Sequence, residues 1–268
     1  MTLIAATYFL SIISAPFVVA FNLLDEAIVG IGKYRLTRSR VLMPEKGADI
    51  TLERKEVLQQ SLPRVPSLLF TAFSGQLVVF LMGIYGSKEG VAEVGALTRI
   101  GMLFILISSS GGVLVAPYFA KSEQNTVLTK VLIFYALNVL MIIGGSAFAY
   151  SFPTVLLLIL GDGYMHLGYE AFLVVLAALI RVSSMLVFSV CNARKYVFPW
   201  YSIPDVLPQL LIILYWVCFM DLSSLIHLLY FAVTMSTSKL FSKTFILIFG
   251  LKRESRCLPV FYFGSGDF

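Results

Sequence analysis

Long apolar runs separated by short polar breaks make up most of this chain. The runs cover residues 3–24, 66–86, 102–121, 126–150, 171–190, 201–220 and 222–250. A hydrocarbon core about 30 Å thick is crossed by roughly 20 helical residues rising ~1.5 Å each, so every run is long enough to span. Between the second and third runs, the stretch GSKEGVAEVGALTRIG (86–101) reads as a polar, glycine-rich hairpin that re-enters the membrane, the helix itself covering 91–120. Ser151-Phe152-Pro153 should end the helix over 126–150, because proline lacks an amide proton and clashes with the preceding turn. The apolar stub TVLLLILG beyond it is too short to span and either lies at the interface or continues the helix past a kink. Pro204, Asp205 and Pro208 interrupt the run over 201–220, and Asp221 separates it from the last.

Composition turns this pattern into a class. The 268 residues are 59% hydrophobic and 13% charged, with a mean hydropathy of +0.89, whereas a soluble domain carries about 25% charged residues. The sequence predicts an all-α, polytopic membrane helix bundle of about seven transmembrane helices. It divides into a leading helix (1–32), a basic cytoplasmic linker (33–64) with an amphipathic helix near 52–62, a six-helix lobe (65–250) and a cytoplasmic tail (251–268). The leading helix lacks the positive start of a secretory signal, since no Lys or Arg precedes Lys33.

Charge then orients the spans. Of the 20 basic residues, fifteen fall in the breaks at 33–64, 121–130, 194–195 and 252–256, and only Lys88 falls in the alternate breaks. By the positive-inside rule the amino terminus is outside and the carboxy terminus cytoplasmic. The net charge of +5 needs no nucleic acid, because the basic residues flank apolar runs and form no aromatic-interleaved patch.

Three stretches carry a family likeness: a Gln-bearing helix followed by GSKEGVAEVGALTRIGMLF; GGVLVAPYFAK, a small-residue helix ending in Ala-Pro and a basic turn; and SFPTVLLLILGDGYMHLGYEAFLVVLAALIRVSS, a proline break, an apolar stub, a Gly-X-Gly-Tyr turn and a following helix. In their order and spacing, residues from about 52 to 250 resemble one lobe of the polysaccharide-exporter flippases, the Wzx-like branch of the multidrug/oligosaccharidyl-lipid/polysaccharide exporter superfamily. The resemblance implies half of a two-lobe exporter in a bacterial cytoplasmic membrane, with a lipid-linked oligosaccharide as substrate. The leading helix would match the last helix of the other lobe, and 33–64 the linker between lobes. A second lobe would come from a truncated or split reading frame, which is the favoured expectation, or from a homodimer or heterodimer.

Depth along the spans selects candidate residues. Arg181 falls near a midplane, Arg99 in the outer half of its helix, and Gln76, Asn138 and Gln209 near the middle of theirs. If they faced one cavity they would offer guanidinium forks and amides to a pyrophosphate and sugar headgroup. Alternatively the three amides bond helix to helix. Asp205, between two prolines that free backbone carbonyls, could receive a proton or Na+ for coupling, or could begin an interface-anchored helix. Lys239 and Lys243 should snorkel to the cytoplasmic face. Glu93, His166 and His227 read as groups at outer helix ends.

No cofactor or metal site is expected. Cys191, Cys218 and Cys257 have no CxxC or CxxH spacing and read as packing residues. The phosphate-cradling GxxxxGK[ST], HExxH and GxSxG motifs are absent, and the external loops are too small for a catalytic constellation. An integral-membrane glycosyltransferase or polymerase is the rival reading. A seven-helix receptor fits less well, because Met235 and not a carboxylate stands one turn before Lys239.

Overall fold

The computed structural model describes residues 61–158 and 160–256, apart from the side chains at 76, 105, 106, 109, 110, 124, 125, 162, 255 and 256. The leading helix, most of the basic linker, the tail beyond 256 and Cys257 lie outside these residues. The chain divides into two compact units, Met1–Lys55 and Glu56–Phe268, and every described residue belongs to the second.

The described residues are helical and contain no strand. After a 3-10 turn at Leu62–Arg64 come α1 (Val65–Tyr85), α2 (Lys88–Ala120), α3 (Gln124–Ser151), the short α4 (Pro153–Leu157), α5 (Gly168–Ala193), α6 (Ser202–Phe219) and α7 (Leu225–Arg256). Three helical stretches, Thr126–Ser151, Gly168–Ala193 and Ser202–Phe219, are long and apolar enough to cross a membrane, and α1 makes a fourth if its bent halves count as one span. The protein therefore reads as a membrane protein.

The hairpin expected at 86–101 is not a hairpin. Only Gly86 and Ser87 separate α1 from α2, and residues 88–101 form the first turns of a 33-residue helix. Ser87 supplies the reason: its hydroxyl accepts a hydrogen bond from the Gly90 amide at 3.1 Å and caps the helix, with Glu89 in the first turn beside the positive end of the helix dipole. Val94, Leu97 and Ile100 then recur every three residues and are buried, so tertiary packing overrides the glycines.

The proline break occurs where expected. Phe152 separates α3 from α4, Pro153 takes the first position of the new helix, and Gly161 turns the chain at φ +93°, a conformation that disfavours a side chain. In α1 the axis bends by 43° between Gly75 and Leu77. A Ser-Gly pair stands at the bend, and the Ser74 hydroxyl bonds back to the Thr71 carbonyl at 3.1 Å.

α5 is the centre of the bundle and packs against α2, α3, α4 and α7. Close approach comes from small residues: a Cβ at Gly111 would lie 2.6 Å from Leu186 Cδ2, and one at Gly145 would lie 2.6 Å from Leu179 Cδ1. Helix association in lipid depends on such packing, since apolar burial between helices has no hydrophobic driving force there. Outward faces are apolar as well, with Leu137, Leu140 and Ile143 on α3 and Leu207, Leu211 and Leu214 on α6 all exposed. Patches of that size on a soluble monomer would mark an interface; lipid covers them here.

Side-chain bonds identify the two ends of the bundle. At the basic end, Arg194 after α5 donates to the Ser122 carbonyl at 3.0 Å and pairs with Glu254 of α7, while Ser202 of α6 donates to the Pro63 carbonyl before α1. Tyr196 also donates to Glu254. Burial pushes the Tyr196 phenol up, and the hydrogen bond to Glu254 adds to the shift. At the other end, His166 meets Glu93 at 3.3 Å, and Tyr169 and Tyr230 share a hydrogen bond of 2.6 Å. Glu93 is thus half-buried and partnered.

Candidate functional site: a cationic ladder beside a buried carboxylate

Asp205 and Gln209 are the only fully buried residues of α6, at 1% and 0% exposure. They lie one turn apart on the face turned to α7, and the prolines around them explain how they are held. Pro208 has no amide proton, so the Pro204 carbonyl loses its helical partner. The Ser242 hydroxyl of α7 fills the vacancy by donating to that oxygen. Gln209 donates its amide to the Asp205 carbonyl. The prolines leave α6 one continuous helix and do not interrupt it.

The Asp205 carboxylate is bonded from two other helices. Oδ2 accepts from the Ser67 hydroxyl of α1 and from Lys243 Nζ of α7 at 2.9 Å. Lys243 also donates to the Tyr201 hydroxyl at 3.2 Å, and its ammonium stands 4.8 Å from the Tyr201 ring centre and 5.1 Å from that of Phe188. Two aromatic faces and a carboxylate thus surround one cation. Asp205 Oδ1 and Gln209 Oε1 are buried with no hydrogen-bond partner, so the site retains unused acceptor capacity.

One turn deeper, by about 6 Å along α7, Lys239 donates to the Ser74 hydroxyl at the bend of α1 at 2.8 Å. Its ammonium is repelled by Arg181 and Lys243 and attracted by Asp205. Arg181 stands midway along α5 and is exposed. Lys243, Lys239 and Arg181 form a ladder from the basic end towards the middle of the bundle, with Asp205 as their one carboxylate among the described residues.

Lys239 and Lys243 therefore do not snorkel. Lys243 is 8% exposed and ion-paired, and Lys239 is bonded to α1. The signal is their depth: seven residues separate Lys243 from the expected helix end at Gly250, about 10 Å of helix, beyond the reach of a lysine stem. Ser67 and Tyr201 carry no sequence signal of this kind, because neither is charged and their partners lie over forty to more than a hundred residues away.

The remaining sequence candidates do not all gather at this site. Gln209 adjoins Asp205. Arg181 belongs to the ladder through Lys239. Asn138 is buried on α3 and donates to the Phe134 carbonyl of its own helix at 2.8 Å, leaving Oδ1 without a partner. Arg99 is exposed on α2 and makes no hydrogen bond or ion pair with described residues. Gln76 lies at the bend of α1, its side chain outside the description. Of the cysteines, Cys191 is buried in the apolar core at the basic end and Cys218 is exposed. No group of three His, Cys, Asp or Glu side chains could hold a metal ion among the described residues.

The chain matches no protein-family model, no curated protein and no solved structure, so the likeness to the flippases rests on the quoted motifs alone.

Proposed function

We propose that this chain is a membrane transporter for an anionic amphiphile, and more specifically one lobe of a flippase for lipid-linked oligosaccharide that works by alternating access. The cationic ladder carries the reading. Ionisable groups within a membrane cost several kcal/mol and mark substrate or ion paths. Three cations against one carboxylate leave the path positive, which favours a phosphate or pyrophosphate headgroup over a cation. In this reading six crossings come from α1, α2, α3, α5, α6 and α7, the leading segment adds a seventh, and the termini lie outside and in the cytoplasm of a bacterial cell. A second lobe or a second copy completes the cavity. Arg99, Gln76 and Asn138 join Arg181 and Gln209 as headgroup contacts when the lobes close.

Asp205 is the coupling residue of the proposal. With Lys243 in place its charge is neutralised. A headgroup phosphate that draws Lys243 away leaves a buried carboxylate unpaired, and such a group takes up a proton or Na+ because a bare charge is unfavourable there. Loading of the ladder and loading of Asp205 are then linked through one lysine.

The test is Arg181→Ala, assayed in proteoliposomes for transbilayer movement of an isoprenyl-diphosphate oligosaccharide. Transport should fall at least about tenfold, the equivalent of losing ~1.4 kcal/mol of charge-assisted binding, while insertion and thermal stability stay normal. Unchanged transport by a normally inserted variant would remove Arg181 from the path.

A further inference from the structure

A groove of about 700 Å³ runs along the outside of the bundle at its basic end, between the start of α1 and the first half of α6. Pro63, Pro66, Pro199, Ile203, Leu207 and Leu210 form its walls. Prolines have no amide proton, so three of these residues leave no backbone donor unsatisfied against an apolar guest. Ser202 is the polar residue of the lining, and its hydroxyl is already given to the Pro63 carbonyl, which ties the two walls together. Along α6 the lining extends from Ser202 to Leu210, about 12 Å of helix, enough for a long stretch of a single acyl chain.

Beside this slot stands an arginine with spare capacity. Arg64 lies between Pro63 and Pro66, its guanidinium 5.6 Å from the Tyr201 ring centre and 6.0 Å from that of Phe188. Its Nε is buried without a hydrogen-bond partner. A buried donor in that state calls for an acceptor, and an arginine stacked on aromatic faces is suited to phosphate. The surrounding end of the bundle carries Lys121, Lys130, Arg194, Lys252 and Arg253. Basic clusters at a membrane surface attract anionic lipid by about 1 kcal/mol per charge.

We propose that the groove binds an anionic glycerophospholipid, one acyl chain along Ile203, Leu207 and Leu210 and the phosphate on Arg64, and that this lipid holds α6 against the start of α1. The occupant is a bulk membrane lipid and not the transported substrate. Asp205 and Gln209 face α7 from another side of α6, so the acyl chain in the groove does not reach them, while Arg64 stands over the same two rings, Tyr201 and Phe188, that hold Lys243. The inference rests on the chain lying in a membrane and is independent of what it transports.

The experiment uses the full chain, purified and delipidated in detergent, titrated with phosphatidylglycerol or phosphatidylcholine and read by native mass spectrometry and by thermal midpoint. Wild type should retain phosphatidylglycerol at least tenfold better than phosphatidylcholine and gain stability from it. Arg64→Gln should abolish the preference, Arg64→Lys should restore part of it, and Leu207→Trp, which fills the slot, should lower retention of both lipids. Arg181→Ala should leave retention unchanged, which separates this site from the transport path. Equal retention of the two lipids by wild type, or an undiminished preference in Arg64→Gln, would overturn the proposal. Displacement of bound phosphatidylglycerol by an isoprenyl diphosphate at equal concentration would also overturn it, since the groove would then serve the substrate.

Discussion

α5 and α6 are both apolar enough to span a membrane, yet they are attached to the bundle in opposite ways. α5 buries twelve residues, nearly all small or aliphatic, against α2, α3, α4 and α7. α6 fully buries two, and both are polar: Asp205 and Gln209. Partly buried Ile212, Ile213 and Trp216 add contacts near its far end. The difference has a thermodynamic meaning in lipid. Apolar packing of the α5 kind is nearly independent of protonation and of ligands, because no ion pair takes part in it. The attachment of α6 passes through an ion pair whose strength depends on the charge of both partners. A helix held that way can be released by a proton, an ion or a competing anion, and a helix held as α5 is cannot. α5 is therefore held by apolar packing and α6 through groups whose charge can change.

The largest effect should come from breaking the α6 attachment on one side only. Lys243→Met leaves Asp205 buried without its counter-charge and should cost about 3–5 kcal/mol in detergent unfolding. Combining it with Asp205→Leu removes both charges and should recover most of that loss. A double variant as unstable as the single one would mean that the aromatic and serine contacts around Lys243, and not the charge pair, hold α6.

A smaller loss is expected on the α5 side. Gly145→Leu forces the Leu179 side chain, 2.6 Å from the added Cβ, to move, and overpacking of this kind typically costs about 1–3 kcal/mol. Unlike the α6 variants it should be insensitive to pH between about 5 and 9, because no group at the seam titrates there. A pH-dependent loss in thermal melts would blur the distinction between the two helices.

The smallest change should follow Glu254→Gln at the basic end. Arg194 and Tyr196 both bond Glu254, and the ion pair is only partly screened from solvent, its side chains 13% and 25% exposed. The variant keeps a hydrogen-bond acceptor but loses the charge, so roughly 1 kcal/mol is expected, with a larger deficit at low salt than at high salt. A deficit that does not respond to salt would point to lost packing around Tyr196.

Much of the fold is legible without the tertiary structure. Apolar run length locates α1, α3, α5 and α6 to within a few residues and most of α7, because a helix in lipid must satisfy every backbone group internally and so announces itself by composition. The proline at 153 ends a helix for a covalent reason that context does not alter. At the start of α2 glycine content misleads: one hydroxyl, that of Ser87, and the burial of Val94, Leu97 and Ile100 outweigh three glycines. At the site, Asp205 stands out through its flanking prolines, and Arg181 through its depth.

What the sequence determined by itself was the solvent. A chain so apolar, with fifteen of its 20 basic residues in alternate breaks, folds as helices against lipid. The partners of the buried charges were decided only by tertiary structure. Ser67, Asp205 and Lys243 come from three helices separated by 138 and 38 positions, and no local preference joins them. They meet because a charge in hydrocarbon must find a counter-charge or a hydrogen bond, and the packing of α1, α6 and α7 against one another sets which one lies within reach.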